Sequence, residues 1–230
     1  MVLQYKIPLL PTQATASYDF QDIADGTGVV HFYAGTAIST LGTTPSQGST
    51  TSYILSQDTF RSAGIETTTD AVVYVGSTYA QSGNQSRTFA LSEFNLPKTL
   101  QGTAIISSCM KTKNPANGDG YIKPNYVLMK NSTDIGSQYG QEIATTAAGF
   151  GSAVNQLVTI DLSSPVHFAK GDVLKLRVEE WGSADAGTST LTSTFGTDPL
   201  NRDGTNITPS SDTTSTTILK ASIPFRIDIA

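Results

Sequence analysis

The segment from Leu219 to Ile229 alternates apolar and polar residues at almost every position, and this pattern limits the fold more than any other feature. Successive side chains of a β-strand point to opposite faces, so the alternation predicts a half-buried strand and does not fit the period of a helix. Pro224 has no N–H to donate to a neighbouring strand. We therefore expect this strand to lie at a sheet edge or to contain a bulge at Pro224.

A second region, from Gln156 to Trp181, contains two alternating runs. The segments Ser163–Pro165 and Lys170–Asp172 have the composition of turns, and the second separates the two runs. Helical patterns are weak, so at most one or two short helices are expected, near 19–24 or within 141–150. The other predicted strands are 2–10, 28–34, 52–57, 70–76, 86–91, 102–110 and 121–130, and 140–146 stays uncertain.

Short strands separated by frequent turn residues predict an all-β fold. We expect an antiparallel jelly-roll-like β-sandwich with long Ser/Thr/Gly-rich loops, the clearest of which are 42–52 and 203–216. No break in composition divides the chain, so residues 1–230 are predicted to form a single domain. Residues 1–15 are either a first strand or an N-terminal arm that reaches a neighbouring molecule.

Charge and hydropathy exclude several classes of function. Only 14% of the residues are charged and the net charge is −5, without a basic stripe, so no nucleic-acid partner is expected. No apolar run is long enough to span a membrane. The N-terminus lacks a basic region followed by an apolar one, so we expect no signal peptide and a chain made in the host cytoplasm.

The residues that usually perform catalysis are scarce. His31 and His167 lie on predicted strands, flanked by apolar residues of opposite parity, and are expected to face solvent or an interface. Cys109 is expected to be a small buried thiol. Glu179 and Glu180 are adjacent, so they point to opposite faces of a strand. Glu180 shares the parity of Leu174, Leu176 and Val178, so it is either partly buried or part of a strand end that reaches solvent, which we expect. No catalytic residue is therefore predicted, and the chain is expected not to be an enzyme.

Ligand chemistry is limited to two loops and the aromatic residues. Asn114–Gly120 and Asp198–Asp203 hold oxygen-bearing side chains, but neither matches a calcium loop, so no cofactor is predicted. Trp181 either stacks on a sugar ring or closes one end of the sandwich core. With Tyr121 and Tyr126 it forms our set of candidate ligand or interface residues, because amphipathic aromatic side chains suit interfaces.

The C-terminal half of the chain resembles a known group of proteins. The resemblance is carried by the segments Val158–Leu162, Phe168–Leu176, Phe195–Pro199 and Ile223–Ile227. In these segments the chain is similar to jelly-roll structural proteins of viruses of bacteria and archaea, of the capsid, decoration or head-fibre type.

The resemblance implies a non-enzymatic virion structural protein without catalytic residues. Such a chain would self-associate as a homo-oligomer, typically a trimer, would pack with other capsid proteins and would be located in the virion. The alternative is a carbohydrate-binding or host-adhesion β-sandwich module, with a host surface glycan as its partner. In that case Trp181 and the tyrosines would carry the binding.

Overall fold

The computed structural model describes residues 27–37, 52–57, 65–75, 78–81, 86–114, 120–145, 149–152, 154–184, 188–196 and 219–226. Within these ranges the chain forms 12 β-strands and no helix. The prediction of an all-β sandwich is therefore confirmed. A search of the same residues for a helix long and apolar enough to cross a membrane finds none.

The strands follow one another along the chain with short and long connections. In chain order they are β1 (Thr27–Ala37), β2 (Ser52–Ser56), β3 (Ile65–Val75), β4 (Ser86–Ala90), β5 (Lys98–Lys113), β6 (Gly120–Lys130), β7 (Thr133–Tyr139), β8 (Ile143–Thr145), β9 (Val154–Phe168), β10 (Leu174–Ala184), β11 (Thr188–Gly196) and β12 (Lys220–Arg226).

All strands belong to one hydrogen-bonded sheet that folds over a shared core and does not close. The order is β3-β11-β5-β12-β1-β2-β4-β10-β6-β7, with β9 paired to β5 and β8 paired to β6. Every pair is antiparallel except β2 with β4, which meet in parallel at Ile54 and Ala90. One layer consists of β9, β5, β12 and β1, and the other consists of β4, β10, β6 and β7.

Alternating side chains from both layers form the core. In β9 the buried residues are every second one from Gln156 to Leu162, and in β12 the pattern is equally regular. Phe168 at the end of β9 packs edge-on against Phe94, with ring centroids 5.1 Å apart. Burial of each such large apolar side chain stabilises the fold by about 1.5–3 kcal/mol.

Pro224 lies at a bulge within an internal strand. β12 is paired on both sides, with β1 and β5, and its register against β5 shifts between Ser222 and Phe225. Of the two alternatives for Pro224, the bulge is confirmed and the sheet edge is wrong. The facing residue on β5 is Gly102, which adopts a φ of 110°.

The predicted turn at Ser163–Pro165 is wrong, because β9 continues through it as a bulge. Leu100 pairs with Val166 and Gly102 pairs with Leu162, so three residues of β9 lie opposite Gln101 of β5. The turn at Lys170–Asp172 is confirmed, since it connects β9 to β10 and places Gly171 at a φ of 90°.

Other elements differ from the sequence-based prediction. Strands β7 and β11 were not predicted. Ile143–Thr145 forms β8 within the uncertain strand at 140–146, and not the short helix considered within 141–150. Several predictions lie outside the described residues: the strand at 2–10, the arm at 1–15, the helical turn at 19–24, the loop at 203–216 and nearly all of the loop at 42–52.

Candidate ligand-binding surface

Strands β10, β6 and β7 turn one face outward, and this face carries aromatic and charged side chains. The even-numbered residues of β10 fill the core, so its odd-numbered residues point away from it. The strand register places Trp181 of β10 opposite Lys123 of β6, and Tyr139 of β7 opposite Asn125 of β6. These side chains therefore occupy neighbouring positions on the same outer face.

Five residues form a group that we call the Trp181 cluster: Tyr79, Lys123, Tyr139, Glu142 and Trp181. The rings of Tyr139 and Trp181 meet edge to face, with centroids 6.1 Å apart and an interplanar angle of 76°. The ammonium of Lys123 lies 4.8 Å from the centroid of the Tyr139 ring and 5.9 Å from that of Tyr79. Tyr79 donates its hydroxyl hydrogen to Glu142 Oε2.

The electrostatics of the cluster follow from these contacts. Burial, together with the hydrogen bond to Glu142, raises the pKa of Tyr79 to about 12, so this phenol stays protonated at neutral pH. Within the described part of the chain no carboxylate forms an ion pair with Lys123, whose ammonium lies instead beside the tyrosine rings. Such cation–π contacts are favourable at a partly exposed site.

A buried carboxylate beneath the cluster fixes the position of Trp181. Glu179 Oε2 accepts hydrogen bonds from Asn125 Nδ2 at 2.8 Å and from Trp181 Nε1 at 3.1 Å. Its other oxygen accepts one from Arg177 Nε at 2.7 Å, and the same guanidinium donates to Asp134 Oδ2 at 2.8 Å. Trp181 is thus held in place by its indole N–H as well as by the contact with Tyr139.

The structure separates the three candidate residues named from the sequence. Trp181 and Tyr121 are both partly exposed on this outer face. Tyr126 points into the core, where it is fully buried and its hydroxyl bonds to Ser108 and lies 3.9 Å from Met110 Sδ. Tyr126 is therefore a core residue, and its inclusion among candidate ligand or interface residues is corrected.

Of the two alternatives for Trp181, closure of one end of the core is wrong, because its side chain lies on the outer face. Tyr79, Lys123, Tyr139 and Glu142 were not singled out from the sequence. The tyrosines could be read from the sequence, but their position on one surface could not be inferred because β7, which carries Tyr139, was not predicted.

The opposite layer has an outer face of a different kind, which we call the apolar face. It includes Leu157 of β9, Ile105 of β5 and Val29 of β1, which are 75%, 43% and 49% exposed. Near its centre His31 Nδ1 and Ser222 Oγ are hydrogen-bonded at 2.8 Å. Large apolar side chains clustered on one exposed face are typical of interaction surfaces.

The remaining candidates for catalysis are not brought together. His31 and His167 are exposed on strands, as predicted, and Cys109 is buried. Glu179 and Glu180 point to opposite faces, but both are buried, with exposed fractions of 7% and 4%. The expectation that this strand end reaches solvent is therefore wrong, and of the two alternatives for Glu180 burial is confirmed.

Metal ligands do not converge in the part of the chain that the structure describes, where no three His, Cys, Asp or Glu side chains could hold an ion. Two loops were considered for calcium. Asp198–Asp203 lies outside the described residues, and so does most of Asn114–Gly120.

No protein-family model matches the chain, and none of the curated proteins matches it. Several solved structures are similar in fold. A CocE/NonD family hydrolase from Staphylococcus aureus has a TM-score of 0.49 and 10% identity, over 87% of this chain and 37% of that one. An aminopeptidase from a marine sediment Thaumarchaeota archaeon has a TM-score of 0.45 and 8% identity, with the same two coverages.

A weaker likeness exists to viral capsid proteins. The structure of infectious bursal disease virus, strain Gx, matches with a TM-score of 0.29 and 12% identity, over 84% of this chain and 43% of that one. The chain thus spans well under two thirds of the length of each of these proteins. With TM-scores below 0.5, the matches carry no argument about substrate, reaction or assembly.

One prediction from the sequence is corrected by these neighbours. The chain was expected not to be an enzyme because catalytic motifs are missing, whereas hydrolases and an aminopeptidase are among the solved structures that match most of its length. The exclusion of enzymatic activity is therefore withdrawn. A search for motifs is a poor basis for such an exclusion, because catalytic groups are recognised by their geometry in the fold.

Proposed function

We propose that this chain is a structural subunit of a virus particle that self-associates through the apolar face. The observation that carries the proposal is the exposure of Leu157 beside Ile105 on a regular sheet surface. The two residues occupy adjacent strands, since Leu157 pairs with Ser107 and Ile105 pairs with Thr159. A second copy covering them would remove both apolar side chains from water, which favours association.

The charges on this face suit a second copy of the same chain. Asp161 pairs with Thr103 of β5, and Lys220 pairs with Ser107 of β5 from the opposite side. Ile105 lies midway between these two positions. A half-turn about an axis that lies in the plane of the face, passes through Ile105 and is perpendicular to the line from Asp161 to Lys220 would therefore bring Asp161 of each copy over Lys220 of the other. This is the self-complementarity that a two-fold interface needs.

The particle role is supported by the sequence rather than by the solved structures. Low charge, Ser/Thr-rich loops and the resemblance in the C-terminal half all fit a jelly-roll component of a virion. In such a particle the neighbours would be further copies of this chain and other capsid proteins. We propose the two-fold pair as the unit of assembly, in place of the trimer implied by the resemblance.

Self-association is tested by light scattering coupled to size-exclusion chromatography, from micromolar to near-millimolar concentration. We expect a dimer for the natural chain and a monomer for Leu157→Asp, because a carboxylate would lose its hydration at the interface. Leu96→Asp is the matched control, since Leu96 is 71% exposed on the loop between β4 and β5. A monomer at every concentration would overturn the proposed interface.

The particle role needs a separate experiment. Mass spectrometry of purified virus particles from the organism that encodes the chain should find it in stoichiometric amounts. Its absence from such particles would contradict the structural role, even if the dimer forms.

A further inference from the structure

The Trp181 cluster lies on the layer opposite the apolar face, so the proposed assembly leaves it open. Its aromatic side chains are partly exposed, and Tyr139 is 42% exposed. Around the rings lie a phenol, an ammonium and a carboxylate, from Tyr79, Lys123 and Glu142. An aromatic surface with a rim of hydrogen-bonding groups is the composition of a ligand-binding site.

The cluster is held rigidly before any ligand arrives. The indole of Trp181 is fixed by its hydrogen bond to Glu179 and by the edge-to-face contact with Tyr139. Glu179 is itself 7% exposed and anchored by Asn125 and Arg177. Rings fixed in this way lose little conformational freedom when a ligand binds, which favours affinity.

The charges around the cluster select the class of ligand. Lys123 and Glu142 contribute opposite charges to the rim, and Arg177 below is paired with two carboxylates, those of Asp134 and Glu179. A strongly charged ligand would therefore meet one attractive and one repulsive group at the rim, and an anion would also be repelled by the excess carboxylate below. A neutral molecule with an apolar face and several hydroxyls matches both the rings and the rim.

We propose that the Trp181 cluster binds a neutral pyranose sugar of a glycan. The C–H face of the sugar ring lies against Trp181 and Tyr139. Sugar hydroxyls donate to the carboxylate of Glu142 and accept from the ammonium of Lys123. The inference is independent of the proposed virion role, because it concerns the opposite layer of the sandwich.

A single sugar on an open surface buries little area, so its dissociation constant is expected to be about millimolar. Saturation-transfer NMR detects binding in this range. The probes are the methyl glycosides of galactose, glucose, mannose and N-acetylglucosamine, with the methyl glycoside of sialic acid as the anionic comparison. Binding of at least one neutral glycoside, with weaker binding of the anionic one, is the expected result.

Variants connect the binding to the cluster. Trp181→Ala should weaken the binding by about tenfold or more, because the stacking surface is lost. Tyr139→Ala removes a second ring without touching the bond to Glu179, and should weaken it as well. Tyr33→Ala, on the opposite layer, is the matched control and should bind like the natural chain. Thermal unfolding shows that each variant is folded.

Three outcomes would overturn the proposal. One is the absence of binding for all four neutral glycosides at concentrations well above millimolar. Another is binding that both Trp181→Ala and Tyr139→Ala leave unchanged, since the site would then lie elsewhere. Preferred binding of the sialic acid glycoside would reject the neutral class.

Discussion

The interior of this sandwich contains polar side chains that bond to one another across the two layers. Tyr126 of β6 reaches Ser108 of β5, and both residues are buried. The side-chain amide of the buried Gln156 of β9 pairs with the backbone of Gln141. Its Oε1 accepts from the backbone N–H of Gln141 at 2.6 Å, and its Nε2 donates to the backbone carbonyl of Gln141 at 3.2 Å. These bonds satisfy groups that would be costly to bury alone.

Removal of one hydroxyl group from such a hydrogen-bonded pair should therefore lower the free energy of unfolding more than removal of both. Tyr126→Phe is expected to lower the free energy of unfolding by about 1–3 kcal/mol, because the Ser108 hydroxyl is left buried without its partner. Addition of Ser108→Ala should recover part of this loss. Urea denaturation measures both effects, with the partly exposed Tyr139→Phe as control, and equal stability of Tyr126→Phe and the natural chain would contradict the prediction.

The sequence predicted strands well where apolar and polar residues alternate, and it missed β7 and β11, which contain few apolar residues. β12 and β9 alternate regularly because their inner residues fill the core. β7, by contrast, is polar and exposed along most of its length, so its pairing with β6 determines its structure. Because β7 carries Tyr139, the Trp181 cluster could not be predicted without this strand. Only Trp181 itself was named as a candidate from the sequence.

The corner between β9 and β10, predicted as a turn from the sequence, is held by a network of hydrogen bonds to Asp172. Asp172 Oδ2 accepts from the backbone N–H of Ala169 at 2.7 Å and lies 3.0 Å from the ammonium of Lys130. Its other oxygen accepts from Asn131 Nδ2 at 2.7 Å. The corner is thus tied to the β6–β7 turn, where Asn131 adopts a positive φ of 55°.

These bonds make the contribution of the corner to the stability of the fold depend on pH. The hydrogen bonds from Asn131, Lys130 and Ala169 lower the pKa of Asp172 from 3.8 to about 2. A lowered pKa in the folded state means that the carboxylate stabilises the fold above its ordinary pKa, and that this contribution is lost as the pH falls from about 4 to about 2. Only the ionised form accepts all three bonds.

Asp172→Asn should therefore lower the stability at neutral pH. The difference from the natural chain should shrink as the pH is lowered through that range. Urea denaturation at a series of pH values measures this. Glu93→Gln is the control and should leave the stability at neutral pH unchanged, because Glu93 is exposed on the loop between β4 and β5, beside Phe94, whose backbone bonds to this corner. A stability difference that stays constant down to pH 2 would show that the carboxylate charge is not involved.

The whole molecule presents two unlike surfaces on opposite layers of one core. The apolar face belongs to β9, β5, β12 and β1, and the Trp181 cluster belongs mainly to β10, β6 and β7. A close-packed core separates them, with Tyr126, Phe89 and Phe168 among its fully buried side chains. Substitutions on one surface are far enough from the other that their effects are expected to add.

This arrangement predicts a separable effect on assembly and on glycan binding. Leu157→Asp should abolish the dimer and leave the affinity for a free methyl glycoside unchanged. Trp181→Ala should weaken the binding of the glycoside and leave the dimer intact. Because the dimer pairs two apolar faces, its two Trp181 clusters point in opposite directions and cannot both bind one flat surface. On a surface densely coated with the sugar, the dimer and Leu157→Asp should therefore bind with the same affinity. Surface plasmon resonance on such a coating, beside NMR titration with the free glycoside, measures both. If Leu157→Asp weakened the binding of the free glycoside as well, the two faces would be coupled through the core, and the assignment of separate roles to the two layers would be wrong.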